Sequence, residues 1–462
     1  MREPGTILLI ACYELGHQPL AVAWPAAFLE AAGYKPASLD VAVEPFDEDK
    51  AARARLVAIS VPMHTALRLG ITVARRVRAV NPDGHIVFYG LYAALNADYL
   101  LGHGADAVIG GEVEPALVEL CDALAAGDAR PIPGVSRPGA PARPTLARLA
   151  FPVPSRAGLP SLKQYARLER DGRLEISGYV EATRGCLHRC RHCPIPPVYG
   201  GRFFAVPRET VLADIRQLVE AGATHITFGD PDFLNGPGHA LAVTDAMHAE
   251  FPQLTFDFTA KIEHLLRRRQ HLPELAARGC LFIVSAVESL SNAVLGHLDK
   301  GHTRADVIEA LRAVRAAGIA LRPTWVAFTP WTTLDDYREM LDFVERERLI
   351  DHVDPVQYSI RLLVPPGSLL LESPAMRPYL GELVERDFFY RWTHPDARME
   401  ALHDTVAARV AEAAERGEDP AVTFDRIRRL ADEAAGLPAR PATAPPDSGR
   451  RRPPRLTEPW FC

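Results

Sequence analysis

Three cysteines fall within eight residues, in the stretch Glu181-Ala-Thr-Arg-Gly-Cys-Leu-His-Arg-Cys-Arg-His-Cys-Pro194. A loop that brings Cys186, Cys190 and Cys193 onto one metal centre must fold back on itself, and this constrains the chain more than any other feature. Three thiolates leave a fourth position open, on a tetrahedral metal or on a cubane of four irons. Catalytic sites keep such a position, whereas structural sites are usually closed. Structural zinc normally takes four ligands, often as two pairs. Here the gaps are three and two residues, no second pair follows, and Cys12, Cys121, Cys280 and Cys462 are isolated. His188 and His192 are able to complete a zinc site, so zinc stays open beside iron. A disulfide fits less well, because three is odd and nothing marks the chain as secreted.

The loop sits in a series of alternating strands and helices. Ser177–Thr183 predicts a strand feeding the cysteines, and Pro207–Ala221 a helix stopped by Gly222. His225–Asp230 and Thr255–Ile262 are short apolar strands. Cys280–Glu288 is a continuous apolar run of the kind that parallel strands show. Val307–Ala317 is a helix stopped by Gly318. Ala320–Phe328 and Val353–Leu363 complete six strands, with a helix over roughly Leu334–Glu347 between them. This alternation predicts a parallel α/β sheet, closed or partly closed as a barrel.

Cys-x3-Cys-x2-Cys at the end of a strand, followed by this βα series, resembles the radical S-adenosylmethionine (SAM) enzymes. The resemblance implies a six-stranded partial barrel, a [4Fe–4S] cluster on Cys186, Cys190 and Cys193, and SAM on the fourth iron, cleaved by one electron to a 5′-deoxyadenosyl radical. His192 stands where the family usually has an aromatic residue. Phe228-Gly-Asp-Pro-Asp-Phe233 ends the second strand, which implies Asp230 and Asp232 as groups for the SAM amine; an Asx turn or a helix cap is the other reading, and the usual Gly-Gly-Glu form is absent. Lys261 is implied for the SAM carboxylate, against a solvated strand end. Glu288, with Leu298-Asp-Lys-Gly301 downstream, is similar to the Glu-Ser…Leu-x-Lys-Gly pattern of cobalamin-type members and is implied for a ribose hydroxyl, against a structural hydrogen bond. Arg361 is a further candidate to neutralise SAM or substrate charge.

Residues 1–130 predict a separate doubly wound α/β unit, with strands over Thr6–Ile10, Ala37–Val43, Leu56–Val61, His85–Tyr89 and Ala107–Ile109. Such a unit places a ligand beyond the strand C-termini. Neither GxGxxG nor GxxxxGK[ST] occurs at the first turn, so nicotinamide or P-loop nucleotide binding is unsupported. The pattern resembles the Rossmann-like cobalamin-binding domain that precedes many radical SAM domains. It is carried by Tyr13-Glu-Leu-Gly-His-Gln-Pro-Leu20, Ser60-Val-Pro-Met-His64, Tyr89-Gly90 and Gly110-Gly-Glu-Val-Glu114. On this resemblance Tyr13, Gly16, His17, His64, Gly90, Gly110 and Gly111 are the candidate contacts, with small residues letting a corrin approach the backbone. The DxHxxG motif is absent, which implies a lower face of cobalt without a protein histidine. The competing reading is a Rossmann-like lid that has lost its ligand.

The rest of the chain organises around these units. Arg130–Leu162 is rich in Pro, Arg and Ala and reads as a connector over residues 131–165. The barrel is expected over 166–365 and a helical extension over 366–436, with helices near Asp396–Arg416 and Phe424–Ala435. Residues 437–462 are expected to be a flexible tail. Its end, Arg455-Leu-Thr-Glu-Pro-Trp-Phe-Cys462, resembles a radical SAM family whose members end in Cys-Cys-Ala-Glu-Pro or Cys-selenocysteine-Ala-Glu-Pro. That resemblance carries the expectation of a UGA codon after Cys462, read as stop.

A net charge of −6 implies no general attraction to nucleic acid or membrane, and no apolar run reaches the roughly 20 residues needed to span a bilayer. Isolated cysteines fit a reducing cytosol. The sequence thus predicts a cytoplasmic radical SAM enzyme with cobalamin, a methyltransferase for an unactivated carbon of an unidentified small molecule or peptide. It would take electrons from a donor such as flavodoxin or ferredoxin. The alternative is a non-enzymatic iron–sulfur or zinc protein with a ligand-sensing N-terminal module.

Overall fold

The computed structural model describes residues 1–438, 450 and 452–458. Its first sheet contains β1 (Ile7–Ala11), β2 (Ala37–Asp40), β3 (Leu56–Ser60), β4 (His85–Tyr89), β5 (Ala107–Ile109) and β6 (Val135–Ser136). The spatial order is β2-β1-β3-β4-β5-β6, with all neighbours parallel except the last pair. Runs such as Ile7-Leu-Leu-Ile-Ala11 are buried throughout because both sheet faces are covered. Leu8 and Ile10 pack toward Leu67, Val73 and Val77 of the helix His64–Val80. Ile7 and Leu9 pack toward Val22, Leu29 and Leu117 of the helices Leu20–Ala31 and Val113–Ala126. The strand order reverses between β1 and β3, so the loops after these two strands diverge and open a crevice.

The second sheet is built from a hairpin, β7 (Arg167–Arg170) and β8 (Arg173–Val180), and from β11 (His225–Phe228), β12 (Thr255–Thr259), β13 (Cys280–Glu288) and β14 (Ala320–Trp325). Between β8 and β11 lie β9 (Thr183–Gly185) and β10 (Phe203–Ala205), an antiparallel pair that zips together the two ends of the cysteine loop. Strands β8, β11, β12, β13 and β14 run parallel, in that spatial order. The core beneath them is aromatic: Phe228, Phe256, Phe258 and Trp325 are each at most 1% exposed, and burying each contributes about 1.5–3 kcal/mol.

Several expectations are corrected. The sixth strand over Val353–Leu363 does not form. Ile350–His352 and Pro355–Tyr358 are 3₁₀ turns, and only an isolated bridge from Phe328 to Arg361 continues the sheet past β14. Pro355 lacks the N–H a strand would need there. The connector is more ordered than its composition suggests, because it contributes β6 and buries Arg156, which donates to Asp214, Gln18 and the carbonyl of Tyr179. The C-terminal extension contains the expected helices, Ala397–Arg416 and Pro420–Ala434. It also holds an unforeseen hairpin of β15 (Leu380–Val384) and β16 (Phe389–Trp392). Within the stretch expected to be a flexible tail, β17 (Arg455–Leu456) pairs antiparallel with β7 at the sheet edge. Arg455 there meets Glu169 at 2.7 Å. The terminal Cys462 lies outside the described residues. No helix among the described residues is long and apolar enough to cross a membrane.

Candidate active site between the two sheets

Cys186 follows β9 directly, and Cys193 precedes the short helix Ile195–Tyr199. Cys186 and Cys190 are buried and Cys193 is partly exposed. Gly185 makes the entry turn with φ +75°; a Cβ there would sit 2.5 Å from the carbonyl of Arg202, so the loop closes only on glycine. A single zinc would draw its ligand atoms to within about 4 Å of one another. Among the described residues the group of three metal-type donors that all lie within 4.8 Å is His188, Asp232 and His264, not the thiols. The wider thiol set, with one position left open, fits a four-iron cluster better than one ion. His188, which the sequence offered as a zinc partner for the cysteines, instead turns toward Asp232.

Glu288 ends β13 with φ +65°, where the register to β14 shifts; a bulky residue rarely adopts such a φ, and it re-aims the side chain. Lys300 Nζ lies 3.2 Å and His192 Nε2 3.3 Å from Glu288 Oε1. Burial alone would raise the Glu288 carboxyl, but the charges of Lys300 and His192 hold it at about 2. Lys300 is 2% exposed. Burial works against its charge, yet Glu288 and the neighbouring Cys190 and Cys193 raise its pKa overall. Lys300 was quoted in the sequence only as part of a pattern; its role as a buried cation beside the cysteines emerges from the fold.

The other candidates are placed as follows. Asp230 accepts from the backbone N–H of Ala182 at 3.0 Å and from the Thr183 hydroxyl, and burial pushes its carboxyl up to about 7. Asp232 is fully buried and accepts from the N–H of Leu234 and Lys261. Lys261 Nζ stands 3.5 Å from Glu263. Arg361 is engaged by both oxygens of Glu400, with its guanidinium 3.7 Å from the Trp392 ring centre. Its charge is therefore already compensated within the C-terminal extension.

In the N-terminal unit, Tyr13 and Gly16 line a cavity of about 1080 Å³ with Cys12, Val41, Phe46, Thr65 and Leu69. That volume is at the upper end for cofactor sites, and it opens where β1 and β3 diverge. His17 stacks on Tyr179 of the barrel, with ring centres 4.2 Å apart, and its Nε2 lies 2.8 Å from Glu458. His64 Nε2 lies 2.7 Å from the carbonyl of Asp387. Each contact occupies one ring nitrogen, Nε2, and fixes the orientation of its ring. Gly90 and Gly111 line a second cavity, of about 290 Å³, between the sheets. The smallness of Gly110 and Gly111 has an internal reason: a Cβ on Gly110 would meet Ala94 at 2.9 Å, and one on Gly111 would meet the carbonyl of Thr145 at 2.1 Å.

This second cavity joins the two units. Ser60, Tyr89 and Glu114 reach it from the first sheet, Tyr179, Glu181 and Arg184 from the second, and Ile195 and Val198 from just beyond Cys193. The strand C-termini of both sheets thus face one gap. Arg184, two residues before Cys186, binds Glu112, Glu114 and Glu181 at 3.0, 2.7 and 2.8 Å. Glu14 lines the same gap; burial pushes its carboxyl up to about 8, although the N–H groups of Ala21 and Leu20 partly offset this. The sequence does not single out Arg184, because Glu112 and Glu114 reach it from the other domain, or Glu14, because its burial depends on the gap between the sheets.

Comparison with known proteins agrees with this two-sheet plan. Residues 6–121 match the B12 binding domain and residues 180–344 the radical SAM superfamily. The ribosomal protein uS12 methylthiotransferase RimO of Porphyromonas gingivalis is 28% identical over 180 residues, which is 36% of this chain and 40% of that protein. An uncharacterized methyltransferase, PH0819 of Pyrococcus horikoshii, is 24% identical over 312 residues, 65% of each chain. The chain thus aligns with less than two thirds of either relative. Among solved structures, the cobalamin-dependent SAM radical enzyme OxsB, with aqua-cobalamin and SAM bound, superposes with a TM-score of 0.70 at 15% identity, over 93% of this chain and 73% of that one. The radical SAM methyltransferase TsrM of Kitasatospora setae, with cobalamin and a [4Fe–4S] cluster, does so with 0.60 at 18% identity, over 74% and 70%. At such identities the likeness is one of fold.

Proposed function

We propose that this chain, which joins a B12-binding domain to a radical SAM domain, is a cobalamin-dependent radical SAM methyltransferase acting on an unactivated carbon. The observation that carries the proposal is the shared gap: the cysteine loop and the strand ends of the B12-type domain open onto one space. Cys186, Cys190 and Cys193 would hold the cluster, and the loops after β1 and β3 the cobalamin. When bound, the cluster and SAM supply a carbon-centred radical and cobalamin supplies the methyl group.

The chain's own residues do the rest by placement. Glu288, fixed through one oxygen by Lys300 and His192, keeps an ionised carboxylate ready to accept a hydroxyl. Lys300 offsets the negative charge of the thiolates. Arg184, anchored in both domains, holds the loop entry against the B12-type domain. The apolar Ile195 and Val198 help to exclude water from the gap, as radical chemistry requires. The substrate is a small molecule or a peptide, a flavodoxin- or ferredoxin-type protein supplies the electron, and the setting is the cytoplasm.

Anaerobic reconstitution with iron, sulfide and hydroxocobalamin tests the proposal. About four irons and one cobalt per chain, with reductant-dependent release of 5′-deoxyadenosine from SAM, are expected. Iron without cobalt would remove the methyl-transfer step. Zinc on the cysteines in place of iron, or no SAM cleavage, would return the chain to a binding protein.

A further inference from the structure

His188, Asp232 and His264 come from three segments: the cysteine loop, the turn after β11, and the helix Ile262–Arg267 after β12. One ligand-type atom from each lies within 4.8 Å of the other two. His188 Nε2 is 3.3 Å and His264 Nδ1 2.8 Å from the same oxygen, Asp232 Oδ2. Donor atoms that share an ion at about 2.0–2.1 Å stand roughly 3–3.5 Å apart; His188 and Asp232 have that separation, and His264 reaches it by moving outward by a few tenths of an ångström.

Both ring nitrogens are buried and converge on one oxygen of Asp232 as close polar contacts, without the in-line geometry of a hydrogen bond. His264 is 8% exposed and Asp232 fully buried, so water does not satisfy these atoms from outside. On the far side of His188, its Nδ1 is 3.8 Å from Glu263 Oε2. A carboxylate that hydrogen-bonds the second nitrogen fixes the tautomer of a metal-bound imidazole, and Glu263 stands just outside that reach.

We propose that His188, Asp232 and His264 bind one divalent cation of the zinc type, separate from the thiolates. Two imidazoles and a carboxylate are a donor set that zinc accepts, with a further position open. Because His188 lies between Cys186 and Cys190, the ion ties the cysteine loop to the ends of β11 and β12. It acts as a staple that sets the shape of the loop. The inference does not depend on SAM cleavage or on cobalamin.

The test uses the full chain, reconstituted with iron and sulfide and then dialysed against micromolar zinc sulfate, with metals counted by mass spectrometry. One zinc per chain is expected beside the iron. His264→Asn and Asp232→Asn should lose the zinc and keep the iron, whereas replacing Cys186, Cys190 and Cys193 together by Ala should lose the iron and keep the zinc. Glu263→Gln should weaken zinc binding by about 10–100-fold. Zinc K-edge absorption of the unmodified protein should show nitrogen and oxygen near 2.0–2.1 Å and no sulfur near 2.3 Å. This measurement decides the matter even if a variant fails to fold. Absence of stoichiometric zinc, loss of zinc with the cysteines, or a sulfur shell each overturns the proposal.

Discussion

Arg184 donates from Nη1 to Glu112 Oε2 at 3.0 Å, and this contact ties the strand that enters the cysteine loop to the loop after β5 in the other domain. Arg184 is only 10% exposed at its side chain and Glu112 only 1%. Trp24 and Phe151 flank the guanidinium, 5.5 and 4.8 Å from their ring centres. Removing one partner of a buried pair leaves the other charge without compensation, which costs about 3–5 kcal/mol. Arg184→Met leaves three carboxylates facing each other. Its urea midpoint is expected to fall accordingly, with the domain junction cut sooner by protease; an unchanged midpoint would show that the clamp contributes little.

Cys186→Ala should abolish the brown colour and the iron content of the reconstituted protein while leaving its far-UV dichroism intact. Retention of four irons by this variant would contradict the assignment of the loop.

Glu288→Gln removes the charge that Lys300 and His192 hold in place. If Glu288 takes a hydroxyl of SAM, losing this charged contact costs about 1.5–3 kcal/mol, or roughly 10–150-fold in affinity. Equilibrium dialysis of SAM on the iron-loaded protein reads this directly. The cluster spectrum is expected to change little, which separates a ligand contact from a collapsed loop.

Glu14 titrates in the opposite sense to Glu288. Its folded carboxyl is raised to about 8 by burial, so the folded chain binds the proton more tightly than the unfolded one. Its stabilising contribution is therefore complete below the ordinary carboxylate range and is lost as pH rises toward 8. The unfolding free energy should fall between about pH 5 and 8. Glu14→Gln should remove up to about 1.4 kcal/mol per pH unit of that slope. Asp230, raised to about 7, contributes with the same sign and stays in both proteins, so the difference between them isolates Glu14.

Elements with unbroken apolar runs were legible before the fold was known: Cys280–Glu288 forms a strand with those same bounds. The second half of β8 was legible in Ser177–Thr183, whereas β7 and the first half of β8 were not, because Arg167-Leu-Glu-Arg170 and Arg173-Leu-Glu-Ile176 are rich in charge and only partly buried. Val353–Leu363 misled for the converse reason. Val353 and Tyr358 are buried in one core with Phe424 and Met399, but Pro355–Tyr358 is a 3₁₀ turn rather than part of a strand. In the site, the cysteine spacing is a local signal and could be read. The meetings of Lys300 with Glu288, of Arg184 with Glu112, and of His188 with Asp232 are products of topology and left no trace in any short window.

Strand β17 makes only two residue pairs with β7, and Glu458, two residues further, touches His17. An element so short has no ladder of its own to melt, so its release requires no unfolding elsewhere. Its docking contacts, such as Arg455 with Glu169 and Arg450 with Asp351 and Asp419, are reinforced by effective concentration, because the arm is covalently tethered to the surface it covers. Cutting the chain between residues 438 and 450 would convert a first-order docking step into a bimolecular one. The grip on His17 would then depend on how dilute the solution is.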